Sequence, residues 1–269
     1  MGPLVSIIMP SHNAEPFIGE AIASVLAQDY LNWELLIVND ASTDGTARVV
    51  AEFTDPRIRV FHLRVNVGVS RARNVALDNV RGTILCSFDS DDVLPAGSLS
   101  ARAAVLEREP DVDIVDGQVI VLDHDMKEVL RIFKPDFDGE PLNELITLSG
   151  KCFFGPTWMI RWGPGEPLRF CTELSHAEDL LFYISYSKGK RYKAVPHPVL
   201  HYRVTGSSAM SRSDGLERSY RYLDRWLRAR PDLANASQVR EFEKRWRGIM
   251  FRTWLKAGKP LAALRARFR

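Results

Sequence analysis

Residues 4–39 read LVSIIMPSHNAEPFIGEAIASVLAQDYLNWELLIVN, and their pattern decides the fold. Residues 4–9 form an unbroken apolar, β-branched run stopped by Pro10. Such a run marks a strand buried on both faces, as in a parallel sheet. Ile18, Ala21, Ile22, Val25 and Leu26 then recur at the spacing of one helix face. Residues 34–39 are a second apolar run, ending at Asp40. Working outward, the alternation continues. Ser42, Thr43 and Asp44 are capping candidates for a helix over 45–53. A third strand is predicted at 58–63, a helix at 69–80, a fourth strand at 83–88 and a further helix at 97–109. Four strand–helix repeats with short links predict an α/β fold, a doubly wound and mostly parallel sheet.

After about residue 110 the rhythm changes. Residues 112–122 read as one or two strands, 136–150 as a linker with a short helix, and 156–162 as a strand. GPGEP at 163–167 is a turn-rich loop. A helix is predicted at 177–187 and extended chain at 192–203, interrupted by Pro196 and Pro198. Two helical stretches follow, at 214–229 and 236–257. The expected organisation is a first half at 1–110, a second half of the same domain at 111–212, and a basic helical C-terminal extension at 213–269.

The chain has 269 residues, 45% hydrophobic and 26% charged, which is enough apolar material for a real core. These values exclude disordered, collagenous and disulfide-scaffold classes. The net charge of +2 hides an asymmetry: residues 237–269 carry ten Lys/Arg against two Asp/Glu, so the rest of the chain is acidic. Cys86, Cys152 and Cys171 are odd in number and widely spaced, and read as packing residues in a reducing compartment. The first residues lack the basic start and apolar run of a secretory signal. No stretch approaches 18 consecutive apolar residues. A cytoplasmic location is expected, or a peripheral one on the inner face of the plasma membrane.

In doubly wound sheets, ligands bind beyond the carboxyl ends of the strands. The residues placed there are Pro10-Ser11-His12-Asn13, Asn39-Asp40, 64–66, and Asp89-Ser90-Asp91-Asp92. Four carboxylates at one sheet edge repel unless a cation or ligand compensates. Hard oxygen ligands with an incomplete shell suit Mg²⁺ or Mn²⁺ held jointly with substrate phosphates. Neither G-x-G-x-x-G nor G-x-x-x-x-G-K-[ST] occurs, so no backbone cradle for a diphosphate is expected. A metal clamp is the natural substitute.

VSIIMPSHNAEPFIGEAIASVLAQDY, ELLIVNDASTDGT, NVGVSRARNVAL and FDSDD, in that order, resemble the start of the family-two inverting glycosyltransferases with the GT-A fold. The resemblance covers roughly residues 4–205. It implies transfer of a sugar from a nucleotide-diphosphate donor, UDP-linked, to a saccharide or lipid-linked acceptor in cell-surface polysaccharide biosynthesis. It implies that Pro10, Ser11, Asn13 and Glu15 line the nucleotide pocket and that Asp40 receives the base. Arg73 would approach the base or phosphates. Asp89 would lie near the ribose and Asp91 on the metal, the two forming the D-x-D pair. Glu178-Asp179 matches a later E-D pair, with Asp179 as general base. Arg203 is expected on the diphosphate. Where many members carry Tyr-Arg-x-His, this chain has Tyr202-Arg203-Val204-Thr205. His201 lies four residues before Thr205, about 13 Å of extended chain, and is no obvious substitute.

Each residue also has a plainer reading. Asp89, Asp91 and Asp40 could cap helices or end turns, and Asp179 could be an ordinary first-turn acid. Arg71 and Arg73 are two apart on one helix and cannot both face the site. Asp179 near a helix start is expected to be kept ionised by free N–H groups. The alternative activities are a sugar nucleotidyltransferase and a non-catalytic sugar-nucleotide binder. In the basic tail, Phe242, Trp246, Ile249 and Met250 form a helical stripe. That stripe either packs on the catalytic domain or joins the basic residues on anionic lipid. Nucleic acid is disfavoured by the acidic body.

Overall fold

The computed structural model describes residues 2–163, 165–205 and 213–268. The first four strands are β1 (Val5–Ser11), β2 (Trp33–Asn39), β3 (Ile58–His62) and β4 (Ile84–Ser87). They alternate with α1 (Ile18–Leu26), α2 (Thr46–Ala51), α3 (Val69–Leu77) and α4 (Ser98–Arg108). Then come β5 (Ile114–Leu122), β6 (Val129–Phe133), β7 (Asp138–Gly139), α5 (Leu142–Ile146), β8 (Met159–Arg161), α6 (Glu178–Tyr186) and β9 (Tyr192–Arg203). The chain ends in α7 (Ser213–Arg228), α8 (Ala236–Lys256) and α9 (Pro260–Phe268).

One sheet runs β3-β2-β1-β4-β8-β5-β9-β7, with β6 paired to β5. β1 to β4 are mutually parallel, β8 is antiparallel to both its neighbours, and β5 and β9 are parallel again. The expected doubly wound, mostly parallel sheet with a helical C-terminal region is therefore present. Every residue of β1 and β2 is buried, which is why both strands read as continuous apolar runs rather than alternating ones. Side-chain alternation splits them between two cores. Val5, Ile7 and Met9 face α1 and α4, while Ile8 and Leu36 face α3 and α5 to α9. The C-terminal helices thus share one core with the sheet rather than forming their own.

Several expectations change. Residues 112–122 are one strand, with β6 added as an exposed hairpin partner that an apolar pattern could not reveal. Residues 192–203 stay extended through Pro196 and Pro198 because the β5–β9 register shifts between Asp116 and Val119. A helix after residue 257, α9, is an addition: Gly258, at φ 70°, turns the chain and Pro260 opens the helix. α8 starts at a capping box, Asn235 with Gln238, as its 236–257 reading required.

The pairing Ser11↔Asn39, Asn39↔His62 and Ile8↔Ser87 brings the carboxyl ends of β1 to β4 to one edge. The loops that follow them therefore meet there. The end of β9 reaches the same edge, since Val93 and His201 exchange backbone hydrogen bonds at 2.9–3.0 Å.

Candidate active site

Asp40 ends β2 and is buried. Its Oδ1 accepts the Val67 N–H at 2.7 Å and its Oδ2 the Gly68 N–H at 2.8 Å. Gly68 aims that N–H from φ 86°, a conformation glycine adopts without strain. Each oxygen keeps a lone pair, so Asp40 can still accept a hydrogen bond from a base. Pro10 and Ser11 are buried at the end of β1. Asn13 and Glu15 brace the loop before α2: Asn13 Oδ1 accepts the Thr43 N–H at 2.8 Å, and Glu15 Oε2 accepts the Gly45 N–H at 2.8 Å. Glu15 also pairs with Arg48 at 2.8 Å. His12 is exposed at the rim, its Nδ1 within 2.7 Å of the Asp40 carbonyl.

Left-handed backbone gathers around these residues. Asn13, Ala41 and Ala177 have φ of 50°, 52° and 55°. Such backbone costs an alanine about 1 kcal/mol or more and persists only where the surroundings impose it. Ala41 directly follows Asp40, and Ala177 directly precedes Glu178.

Arg73 has a different employment from the expected one. It is 3% exposed on the inner face of α3. Its Nη1 donates to Glu178 Oε1 at 2.7 Å and its Nη2 to Asp89 Oδ1 at 2.8 Å. One guanidinium therefore ties the acid loop after β4 to the start of α6. Arg71, two residues away, faces solvent, as the helix geometry demanded.

Arg203 is likewise occupied. Its Nε donates to the Asp91 carbonyl at 2.8 Å, its Nη1 to the His124 carbonyl at 2.7 Å and its Nη2 to Glu20 Oε2 at 2.5 Å. Its backbone N–H donates to Asp92 Oδ1 at 2.9 Å. The guanidinium also lies 5.1 Å from the Phe17 ring centroid. Buried in this way, it braces the acid loop. Residues 206–208, which complete the run after Thr205, lie outside the described residues.

Among the described residues no side-chain cation bonds to the Asp91 carboxylate; Arg203 acts on it only through its charge. Burial and the adjacent Asp89 push the Asp91 carboxyl up to about 6. Asp92 is driven up further, by burial and then by Asp91 and Asp89. The repulsion expected among these acids is relieved in part by Arg73 and Arg203, and Asp91 is left without an ion-pair partner among the described residues. Among the described residues, no group of three or more His, Cys, Asp or Glu converges as a complete metal site. One such carboxylate beside Asp89 is a partial cation shell that phosphates and water would complete.

Asp179 opens α6 beside Glu178, and its Oδ1 accepts the Leu180 N–H at 2.7 Å. That bond alone was expected to keep it ionised. Instead, burial first and the Glu178 charge second push its carboxyl up to about 7, because Arg73 is bonded to Glu178 and not to Asp179. The two neighbours therefore divide: Glu178 is an ion-pair partner, and Asp179 Oδ2 accepts no hydrogen bond among the described residues. Glu20 is a part of this site that the sequence did not single out. Glu20 meets Arg203 across a separation of 183 positions, which leaves no local signal.

In the basic tail, Phe242, Trp246 and Met250 of the stripe are buried against the body, with Ile249 half-buried beside them, so the stripe itself packs on the catalytic domain. Among the described residues no helix is long and apolar enough to cross a membrane.

Among curated proteins, the chain is 45% identical over 103 residues to the UDP-Glc:alpha-D-GlcNAc-diphosphoundecaprenol beta-1,3-glucosyltransferase WfgD of Escherichia coli. That match spans 38% of this chain and 41% of WfgD. The chain spans about two-fifths of the length of the curated relatives it matches at such identity. Among solved structures, S. aureus TarS 1-349 in complex with UDP-GlcNAc superposes with a TM-score of 0.67 at 17% identity, over 98% of this chain and 90% of that one. The mannosyltransferase PcManGT from Pyrobaculum calidifontis, in complex with GDP-Man and Mn²⁺, gives 0.61 at 22% identity, over 98% and 78%. Both carry the GT-A type of fold. The family model for glycosyl transferase family 2 matches residues 6–163, more than half of the chain, and the protein belongs to that family.

Proposed function

We propose that this protein is an inverting glycosyltransferase that moves a sugar from a UDP-linked donor to a saccharide or lipid-linked saccharide in cell-surface polysaccharide biosynthesis. The observation that carries the reading is the Arg73 bridge. It gathers the D-x-D acids and the Glu178-Asp179 pair at one sheet edge. The names of WfgD and of the TarS complex, with their UDP-sugars, support the donor class. The GlcNAc-diphosphoundecaprenol in WfgD's name supports a lipid-linked acceptor.

In this reading residues 1–110 hold the donor and 111–212 the acceptor and base, with 213–269 as the extension. Pro10, Ser11 and Asp40 form the wall for the nucleoside, with Asn13 and Glu15 fixing that wall's loop. Asp91, with Asp89 beside it, holds Mn²⁺ or Mg²⁺. The Asp91 carboxylate, with no ion-pair partner among the described residues, fits that role, and PcManGT with Mn²⁺ supports it. The bound cation supplies charge neutralisation to the departing diphosphate. Asp179 takes the acceptor hydroxyl's proton on Oδ2 as that oxygen attacks the anomeric carbon. The bond from that carbon to the diphosphate oxygen breaks, and its electron pair leaves with the nucleoside diphosphate. A base with a pKa near 7 is matched to neutral pH. Glu178 and Arg73 position this base without touching the reacting atoms.

The test is Asp91→Ala in a Mn²⁺ assay with a panel of UDP-sugars. Transfer and donor hydrolysis are both expected to vanish while the fold, checked by circular dichroism, persists. Unchanged turnover overturns the metal assignment.

A further inference from the structure

α9 turns its large apolar side chains outward. On a helix of about 100° per residue, Leu261, Leu264 and Phe268 fall within about 60° of one another. Ala263 and Ala266 fall on the opposite side, and both are fully buried against α8. The apolar three are 72%, 50% and 77% exposed. The short alanines let α9 dock closely, and the large side chains form a ridge pointing directly away. A soluble surface rarely carries such a contiguous apolar ridge without a partner for it.

The charge around the ridge names the partner's chemistry. From 244 to 269 the chain holds nine Lys/Arg and no Asp/Glu. Lys244, Arg245 and Arg247 are paired with Glu241 and Glu243. Arg252, Lys256, Lys259, Arg265 and Arg267 have no carboxylate partner among the described residues and face solvent. Arg265 and Arg267 flank the ridge on its two sides. Arg252 and Arg267 each bring a guanidinium nitrogen within 3.7 Å of the same point over Gly248, in a groove between α8 and α9. Glu241, Lys244 and Arg245 line the same groove, so its cations outnumber its one acid.

We propose that α9 and the end of α8 dock on an anionic lipid bilayer, with Leu261, Leu264 and Phe268 inserted at the interface. The unpaired Lys and Arg residues contact the headgroup phosphates. An apolar ridge flanked by cations is the pattern of a helix lying in a membrane interface. A second copy of the chain is a poor occupant, because it would bring the same positive surface.

Flotation of the full chain with phosphatidylcholine vesicles, with and without phosphatidylglycerol, tests it. The unaltered chain is expected to partition at least about tenfold more onto the anionic vesicles, and less at high salt. Leu261→Gln/Leu264→Gln/Phe268→Gln is expected to lose that partitioning by about tenfold or more. Lys256→Glu/Lys259→Glu/Arg265→Glu is expected to do the same. Both variants should keep the melting temperature and the turnover on a water-soluble acceptor. Equal flotation of the ridge variant, or no preference for the anionic lipid, overturns the proposal. So does a ridge variant that turns a dimer into a monomer by light scattering while its flotation is unchanged.

Discussion

The arginines of the acid edge and those of α8 and α9 belong to the same residue type and do opposite work. Arg73 and Arg203 are buried, and each is bonded to a carboxylate that arrived from elsewhere in the chain. Arg252, Arg265 and Arg267 are exposed and form no ion pair among the described residues. In the first region, cations hold a crowded set of carboxylates in one geometry. In the second, Arg252, Lys256, Lys259, Arg265 and Arg267 have no carboxylate partner among the described residues, so their charge is available to something outside. The difference teaches that the net charge of +2 is a sum over two unlike surfaces.

The contrast is broken most forcefully by removing a buried guanidinium. Arg73→Met leaves Glu178 and Asp89 facing each other without a cation. We expect urea unfolding to report a loss of about 3–5 kcal/mol, the range for stripping one partner from a buried pair. A change below 1 kcal/mol would show that water already screens the pair.

Asp116 sharpens the point from the other side. It is a fully buried acid on β5 whose pKa burial pushes up to about 6, from an ordinary 3.8. The folded state therefore binds the proton more tightly than the unfolded chain does. The penalty is present in full above about pH 6 and is relieved as the pH falls toward 4. Two pKa units correspond to about 3 kcal/mol. Asp116→Asn should stabilise the protein by about 1–3 kcal/mol at pH 7.5 and by nothing at pH 4. Equal effects at both pH values would refute the cause.

Arg203→Met should cost less than Arg73→Met, about 1–3 kcal/mol, because its partner Glu20 is 56% exposed. Its clearer signature should be weaker Mn²⁺-dependent UDP binding by calorimetry, since the Asp91 main chain loses its brace. Smallest of all is the effect expected in the tail. Lys256→Glu or Arg265→Glu alone should change stability by no more than about 0.5 kcal/mol, the ordinary range for surface sites. A larger loss would mean that the tail cations are structural after all.

Much of the fold was legible because burial on both faces writes itself into β1 and β2 as unbroken apolar runs. The motif acids were legible because they directly follow strands. What each arginine does was not. Arg73 meets Glu178 across 105 positions, and only the folded sheet brings them together. The raised Asp179 carboxyl escaped the sequence for the same reason, since its neighbour's arginine is not its own. α9 was missed because its apolar residues point outward, while the alanines that bury it carry too little hydrophobic signal to mark a core face.

Asp179→Asn, assayed for both sugar transfer and UDP-sugar binding across pH 5 to 9, tests the central claim most directly. The account predicts that transfer falls by about 10²–10⁴-fold, the span of a positioned general base. Donor affinity should stay within about twofold. The unaltered enzyme should lose activity as the pH drops through about 7 and Asp179 takes up its proton. A variant that transfers sugar normally, or an activity that is flat across that range, would contradict it.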